Sequence, residues 1–371
     1  MTIDNGAIIS MIRRIKPDGS KARKKPQLPR QAKLSQKPTE VRYMTRTVRL
    51  MIGTAALLLG AGATMAETIV IGHFGDPTPM NVARAEAKFE AATDWDIEWR
   101  TFASGTDVIA AMASGDVAIS ELGSSPLAIA ASQGVDLKMF MMSYAIGQSE
   151  SLIVRNGAGI ASLEDLTGKR VAVPVGSTAH FSLVGALDHA GISESDVTIM
   201  NMPPDQIAAA WEQSAIDAAF IWQPVQSQLM EKGSRLLGAD KTAEWGFPTF
   251  NAWVVNSDFA STNAEALAAF AKTMDDANQA YLSQRSAWTA DSGEVQAVAK
   301  MTGAAPDQVP AILEGYTFIP LSEQLSGPWL RDAAATMKAT AEFLKAAGRI
   351  DNTIEDYSAF VDDGIAKSAA R

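Results

Sequence analysis

Two short polar segments follow predicted strands and open predicted helices. The first, Glu121–Ser132 (ELGSSPLAIAAS), reads as a strand end, a Gly-Ser-Ser turn and a helix with Pro126 in its first turn. The first backbone N–H groups of a helix have no partner inside the helix, and with the helix dipole they attract anions. The hydroxyls of Ser124 and Ser125 would add donors of little bulk. The segment predicts an anion site, although ordinary serine capping of a helix start explains the same residues.

The same arrangement recurs further along the chain. Ser177 and Thr178 follow Gly176 and the strand pattern RVAVPV at 170–175. Two helix starts would then meet one anion from opposite sides. A sulfonate suits such a site, because it stays ionised at all biological pH values and accepts hydrogen bonds through three oxygens. Two plain strand-to-helix turns remain the alternative interpretation.

Four further residues lie at the starts or ends of predicted strands. Two of them, Trp222 and His73, lie at carboxyl ends, beyond which ligands bind in open α/β sheets. Glu150 would bind a ligand ammonium through a charge-assisted hydrogen bond, unless it is a solvated strand-end carboxylate. Trp222 ends a strand, and its ring would cover the cleft and contact a cation. Asn251 lies near the start of a later predicted strand and is a further candidate contact. His73 follows the first strand, either as a donor to an anion or as a satisfied strand-end histidine.

Residue counts and motifs exclude several kinds of chemistry. The chain contains no cysteine, which excludes disulfide bridges, thiolate metal sites and cysteine nucleophiles. His180 and His189 lie nine positions apart on one predicted helix and share no face, although number alone does not exclude a three-histidine zinc site. Motifs of nucleotide-binding loops, serine hydrolases and zinc proteases are absent, and no motif nominates the serine of a Ser-His-Asp triad. We expect no catalytic residue, metal or cofactor.

The first 66 residues differ in charge from the rest of the chain. They carry 13 Lys/Arg and 3 Asp/Glu, whereas the remainder carries 19 basic and 39 acidic residues. Arg46 and Arg49 precede a short apolar stretch at 51–63 and small residues up to Ala66. This is the pattern of a secretory signal peptide that is cleaved near Ala66. The sequence therefore predicts a signal peptide at 44–66 and a periplasmic mature protein.

A long basic extension, residues 1–43, precedes this signal. Met44 is a plausible start of translation, and a basic arm that binds nucleic acid is the rival interpretation. The acidic mature chain lacks the clustered Lys/Arg that phosphate contacts need, so we expect no nucleic-acid partner. Beyond Ala66 no apolar run approaches the ~18 to 20 residues of a membrane span, so we expect the mature protein to be soluble.

The pattern of elements predicts two successive α/β series. The first starts with strand Thr68–Gly72 and a helix at about 80–92, and the second starts with strand Arg170–Val175. The sequence after Phe259 is almost wholly helical and ends with a predicted long helix at Gln324–Ala347. Such series form parallel sheets with crossover helices, and two facing lobes would place the carboxyl ends of their strands across one cleft.

Six segments together carry a family resemblance. They are DVAISELGSSPLAIAASQGV (116–135), SESLIV (149–154), LEDLTGKRVAVPVGSTAHFSLVGAL (163–187), PPDQIAAAW (203–211), DAAFIWQP (217–224) and EWG…AWVVNSDFA (244–260). In this order they resemble the periplasmic taurine-binding proteins of ABC importers, within the alkanesulfonate, nitrate and thiamine-precursor binding superfamily. The similarity covers nearly the whole chain after the signal peptide.

The resemblance implies a type II periplasmic-binding-protein fold, with two doubly wound α/β lobes joined by two crossover strands and a ligand cleft between them. With the element pattern, it places lobe I at 67–155 and 256–371 and lobe II at 156–255. It implies a monomeric substrate-binding subunit that captures taurine without chemistry. The implied partners are the ABC permease and its ATPase at the inner membrane.

The resemblance also implies roles for individual residues. Its anion contacts would come from Ser124, Ser125, Ser177 and Thr178. Glu150 would contact the ligand ammonium, and Trp222 would line the cleft. Some taurine binders have an aspartate where Asn251 stands, and the segment His73–Pro79 also departs from the family's pattern. A related alkanesulfonate or another small anion is the alternative ligand, and a sulfonate- or sulfinate-processing enzyme on the same fold is the more distant alternative.

Overall fold

The computed structural model describes residues 68–327 and 329–371. The predicted extension at 1–43 and the predicted signal peptide at 44–66 lie outside the described residues. Within the described part of the chain, eleven strands form two sheets. The strands are β1 (Thr68–His73), β2 (Asp96–Thr101), β3 (Ile119–Gly123), β4 (Lys138–Ile146), β5 (Glu150–Arg155), β6 (Arg170–Val173), β7 (Thr198–Asn201), β8 (Ala218–Trp222), β9 (Gly233–Gly238), β10 (Phe250–Val255) and β11 (Tyr316–Thr317).

Helices occupy most of the segments between strands and the C-terminal third of the chain. The α-helices are α1 (Met80–Ala85), α2 (Lys88–Thr93), α3 (Gly105–Ser114), α4 (Ser124–Ser132), α5 (Thr178–His189), α6 (Pro204–Glu212), α7 (Val225–Met230), α8 (Ala239–Glu244), α9 (Ser257–Thr262), α10 (Ala264–Ser283), α11 (Gly293–Thr302), α12 (Val309–Glu314), α13 (Leu321–Ser326), α14 (Ala333–Ala346) and α15 (Asp363–Ala369). Short 3-10 turns lie at Glu164–Leu166, Glu194–Asp196, Arg285–Ala287 and Ser358–Phe360. In residues 68–327 and 329–371, no helix combines the length and apolar character needed to cross a bilayer.

Each sheet defines one lobe. The first lobe contains the sheet ordered β11-β4-β10-β3-β1-β2, and the second lobe contains the sheet ordered β7-β6-β8-β5-β9. Strands β2, β1 and β3 are parallel, as are β7, β6 and β8. Strands β10, β4 and β5 run antiparallel to their neighbours. Both sheets are therefore mixed, with a parallel part that the βα series predicts and an antiparallel part that it does not.

The chain passes between the lobes at different points from those expected. Strand Glu150–Arg155, which the sequence analysis assigns to lobe I, pairs with β8 and β9 of the second sheet. Strand Phe250–Val255, which it assigns to lobe II, pairs with β3 and β4 of the first sheet. The sheets are thus joined by residues 147–149 and 239–249. The connection at 147–149 is too short to contain a crossover helix, and β5 enters the second sheet antiparallel to its neighbours. The connection at 239–249 contains α8, and β10 is likewise antiparallel to its neighbours in the first sheet.

Three helix boundaries also differ from the sequence prediction. The helix expected at 80–92 is divided into α1 and α2 at Ala87, which is in the left-handed region with φ 51°. The helix expected at Gln324–Ala347 is divided into α13 and α14. Helix α4 begins at Ser124 rather than at Pro126, so both serines of the turn belong to its first turn.

The central strands of the second sheet, β5, β6 and β8, are buried on both faces, which explains their continuous apolar runs. Alternate residues of β8 point to opposite faces of the sheet. Phe220 joins a cluster that includes Leu183 of α5, whereas Ile221 joins a cluster that includes Ile207 of α6 and Leu229 of α7. Helices on both faces thereby hold the end of β8 in a fixed position at the cleft.

The core of the first lobe is centred on Phe270 of α10. Its ring centroid lies 4.8 Å from that of Phe89, 5.1 Å from that of Trp253 and 6.4 Å from that of Phe140. These partners come from α2, β10 and β4, so one side chain joins the helical C-terminal part of the chain to the sheet. Trp253 is fully buried here, which agrees with a role in the core.

We expect Phe270→Ala to lower the free energy of unfolding by about 3 to 5 kcal/mol, because it removes a fully buried ring and leaves a cavity. Phe270→Leu should cost less, since much of the volume remains. Urea denaturation followed by tryptophan fluorescence measures both changes. Met230→Ala, at an exposed methionine, is the control and should change stability by less than about 0.5 kcal/mol. Equal effects at the two positions would contradict this account of the core.

Candidate ligand-binding site

A cavity lies where the facing edges of the two sheets meet. It contains about 440 Å³ of space, a figure that includes space open to solvent. Both lobes contribute to its wall, mainly through residues at the ends of β1, β3, β4 and β8 and at the starts of β5, β10 and α5. The lining residues are Phe74, Asp76, Gly105, Gly123, Pro126, Tyr144, Ile146, Ser149, Glu150, Ser177, Thr178, Trp222, Asn251 and Tyr316.

The wall from the first lobe contains a chain of three hydrogen-bonded side chains. Asn251 Nδ2 donates to the hydroxyl of Tyr144 at 2.6 Å, and that hydroxyl donates to Asp76 Oδ2 at 2.5 Å. The three residues come from β10, from β4 and from the loop after β1. This chain fixes the orientation of the Asp76 carboxyl. Among the described residues, this chain of hydrogen bonds reaches only Oδ2 of the Asp76 carboxyl. Oδ1 is therefore left as an acceptor for a ligand.

The wall from the second lobe presents Glu150. Thr178 Oγ1 donates to Glu150 Oε2 at 2.6 Å, which fixes the carboxyl at the first turn of α5. The other oxygen, Oε1, is buried and has no hydrogen-bond partner in the described part of the chain. The same holds among these residues for the hydroxyl of Tyr316, which also lines the cavity. Buried polar atoms are normally paired, so these atoms indicate a ligand that supplies donors.

Burial dominates the electrostatics of these carboxyls. It raises the pKa of Glu150 to about 8, and the hydrogen bond from Thr178 offsets only part of that rise. Burial also raises the pKa of Asp76 and of Glu121, a buried residue of β3, and the charge of Asp76 adds to the rise at Glu121. The lining residues, all in the described part of the chain, include no Lys, Arg or His. A cationic group of a ligand would therefore supply the missing charge.

The starts of two helices also meet at the cavity. Helix α4 follows Gly123, and α5 follows Ser177, whose Oγ accepts from the backbone N–H of His180 at 3.2 Å. Both helices are long enough for a dipole, and the N–H groups of their first turns lack intrahelical acceptors. Ser125 Oγ is fully buried and has no partner among residues 68–327 and 329–371. These features make the helix starts suitable for an anionic group.

Five of the eight residues nominated from the sequence line the cavity: Glu150, Ser177, Thr178, Trp222 and Asn251. Ser124 and Ser125 lie in the first turn of α4, next to the lining residues Gly123 and Pro126. The hydroxyl of Ser124 accepts from the backbone N–H of Phe250 at 3.3 Å, which ties α4 to β10. The hydroxyl of Thr178, nominated as an anion contact, instead donates to Glu150.

His73 does not line the cavity. Its Nδ1 accepts from the backbone N–H of Gly75 at 2.9 Å, and its Nε2 lies 3.3 Å from Thr101 Oγ1. Burial, with the nearby charge of Arg84, lowers the pKa of His73 to about 3, so the imidazole is neutral. The structure therefore favours the satisfied strand-end histidine over the anion donor.

No group of three or more His, Asp or Glu positioned to hold a metal ion occurs among the described residues.

Three residues of the cavity wall, Asp76, Tyr144 and Tyr316, are not among those nominated from the sequence. Asp76 follows the first strand in the segment that departs from the family's pattern, so its position at a strand's carboxyl end is the one available signal. Tyr144 lies near the end of the apolar strand β4, and its sequence context is that of a core residue. Tyr316 lies in the helical C-terminal part, where nothing in the local sequence points to the cavity.

We expect the ligand-free protein to lose stability as the pH rises from about 5 to about 8. The pKa of Glu150 is raised from an ordinary 4.5 to about 8 in the folded state. Its contribution to stability is therefore complete below about 4.5 and is lost as the pH passes through 8, with a slope of about 1.4 kcal/mol per pH unit. Glu150→Gln should reduce this dependence in urea denaturation at several pH values, and the part that remains comes from Glu121 and Asp76, whose pKa values burial also raises. The exposed Glu342→Gln is the control, and an equally reduced dependence for it would contradict the assignment.

Comparisons with known proteins agree with this architecture. A model of the family "NMT1/THI5 like" matches residues 80–286, more than half of the chain. The alkanesulfonate-binding protein SsuA from Xanthomonas axonopodis pv. citri, solved with bound MOPS, superposes with a TM-score of 0.66 at 21% identity and covers 80% of this chain and 98% of its own. The desulfurization enzyme DSZB superposes at 0.59 with 14% identity, covering 82% and 98%. These likenesses confirm the predicted two-lobed α/β fold of periplasmic binding proteins.

The sequence relationship is closer to one group of binding proteins. The chain is 37% identical over 310 residues to the taurine-binding periplasmic protein of Escherichia coli strain K12, a match that covers 83% of this chain and 95% of that protein. An identity of this level over almost the whole relative leaves the fold and the order of elements unchanged. The chain belongs to the NMT1/THI5-like family and, within it, to the group of the taurine-binding periplasmic proteins.

Proposed function

We propose that this chain captures taurine in the periplasm and delivers it to the permease of an ABC importer. The observation that carries the proposal is one cavity in which Asp76 and Glu150 meet the starts of α4 and α5. Buried carboxyls favour a cation, and helix starts favour an anion. A small zwitterion with both charges on one short molecule satisfies both features at once.

The anionic group of the ligand would lie against the first turns of α4 and α5. A sulfonate has three acceptor oxygens and no proton to donate, which matches a cradle of backbone N–H groups and serine hydroxyls. Ser125 Oγ, fully buried and unpaired in the described chain, provides one donor beyond the amides. The hydroxyl protons of Ser124 and Ser177 are also available, because both oxygens serve as acceptors of backbone N–H groups.

The ammonium of the ligand would lie between Asp76 and Glu150. Asp76 Oδ1, Glu150 Oε1 and the Tyr316 hydroxyl together offer as many acceptors as a primary ammonium has N–H groups. Asn251 is a neutral amide, but this part of the site still contains a carboxylate. Asn251 donates to Tyr144, and Tyr144 donates to Asp76. Asp76, in the loop after β1, therefore supplies the negative charge.

Apolar side chains limit the size of the ligand. Phe74, Pro126, Ile146 and Trp222 line the cavity between the polar groups. Trp222 lies directly opposite Glu150 in the pairing of β8 with β5, so its ring borders the carboxylate side of the cavity. A two-carbon spacer such as that of taurine has apolar surface for this wall and little bulk to exceed it.

Support for a transport role comes from the relatives. The Escherichia coli relative is named a taurine-binding periplasmic protein, and the Xanthomonas structure is that of an alkanesulfonate-binding protein. The enzyme on the same fold shares only 14% identity with this chain, and a cysteine nucleophile is excluded here by composition. We infer a binding subunit without chemistry of its own. A related alkanesulfonate is the alternative ligand.

Calorimetry with two ligands tests the ammonium site. Glu150→Gln should weaken taurine binding by about 10- to 100-fold, because the amide lacks the charge that pairs with the ammonium. Ethanesulfonate, which has no ammonium, should bind the wild type and Glu150→Gln with similar affinity. Refolding removes any co-purified ligand beforehand, and Glu342→Gln is the surface control. Lack of taurine binding by the wild type would refute the proposal, and an equal loss for both ligands would refute the role of Glu150.

Taurine binding should release up to about one proton per protein molecule at pH 7. Burial raises the pKa of Glu150 to about 8 in the folded protein, and a neighbouring ammonium lowers it again, so the proton leaves as the ligand enters. The observed enthalpy of binding should therefore differ between phosphate and Tris buffers. Glu150→Gln should reduce this difference, and affinity for taurine should rise between pH 6 and pH 8 in the wild type. A binding enthalpy that is independent of the buffer would contradict the linkage.

A further inference from the structure

Gly123 lies at the junction of β3 and α4, where the two lobes meet. It is the last residue of β3 and the N-cap of α4, with φ −70° and ψ 154°. This is extended backbone, which any L-residue adopts without strain. The local backbone therefore does not require glycine at this position, and the reason for it must lie in the surrounding space.

The space around Gly123 is limited by the opposite lobe. A Cβ built on Gly123 would lie 2.9 Å from Thr178 Cγ2 and 3.3 Å from Asn251 Oδ1. Carbon atoms in contact are normally about 3.5 to 4.0 Å apart, so the methyl of Thr178 would have to move. Asn251 belongs to the first lobe with Gly123, whereas Thr178 begins α5 of the second lobe. The tightest contact is therefore a contact between lobes.

Thr178 has little freedom to turn away. Its Oγ1 donates to Glu150 Oε2 at 2.6 Å, and its side chain is buried. Rotation that moves the methyl from Gly123 also moves the hydroxyl from Glu150. A side chain at position 123 would thus force a choice between separating the lobes and releasing the carboxyl of Glu150.

We propose that the missing side chain at Gly123 sets how closely the two lobes approach, and so allows both halves of the site to act on one ligand. The inference rests on the proposed function. Gly123 is a positioning residue, since it acts through Thr178 and the placement of α5 rather than by holding the ligand. The neighbouring Gly176 differs, because its φ of +90° requires glycine for the backbone itself.

A double-mutant cycle tests the role of Gly123. Gly123→Ala should weaken taurine binding by about tenfold or more in the wild-type background, because the added methyl meets that of Thr178. Thr178→Ser removes this methyl and keeps the hydroxyl that donates to Glu150. In the Thr178→Ser background, adding Gly123→Ala should therefore cost only about two- to threefold in affinity. Small-angle scattering should show that saturating taurine compacts the wild type and the double variant more than Gly123→Ala.

Controls separate this inference from general damage and from failure of the proposed function. Gly293→Ala, at a glycine whose added Cβ would meet no atom within 4 Å, should bind taurine like the wild type. Equal thermal unfolding of ligand-free Gly123→Ala and wild type would show that the variant folds normally. If the wild type binds taurine and Gly123→Ala binds equally well, or the loss is the same in both backgrounds, the inference is wrong and the proposed function stands. If the wild type does not bind taurine, the proposed function is wrong and the inference fails with it.

Discussion

The site depends on the burial of two carboxyls from different lobes in one cavity that, among the described residues, is lined by no basic side chain. A buried carboxylate without a cation is costly, so burial raises the pKa of both carboxyls, that of Asp76 to about 6 and that of Glu150 to about 8. A cationic group of a ligand would pair with carboxyls from both lobes in this cavity and would lower their pKa values again.

Thr178 joins the separate parts of this arrangement. Its backbone belongs to the first turn of α5, its hydroxyl donates to Glu150, and its methyl lies against Gly123 of the other lobe. The contacts of Thr178 therefore link the start of α5 to the carboxyl of Glu150. This geometry explains how a site assembled from two lobes can hold the two charges of a ligand at a fixed separation.

The elements of the fold follow largely from local sequence. The strands with β-branched runs, the glycines that end them and the serines at the starts of α4 and α5 are all specified by neighbouring residues. The local sequence does not show which sheet β5 and β10 join, because an apolar strand between two α/β series can pair with either sheet. In the structure β5 pairs with β8 and β10 pairs with β3, each after the chain has passed over from the other sheet.

Local motifs and exclusions can be read from the residues alone: two polar segments that open helices, an acidic chain beyond the signal pattern, and no cysteine. Which polar groups converge depends on how distant strands pack together. Tyr144 and Asp76 are 68 residues apart and share a hydrogen bond, while His73, three residues before Asp76, is paired away from the cavity. The physical reason is that helix starts arise from short-range backbone geometry, whereas the partner of a buried carboxyl is set by contacts between distant strands.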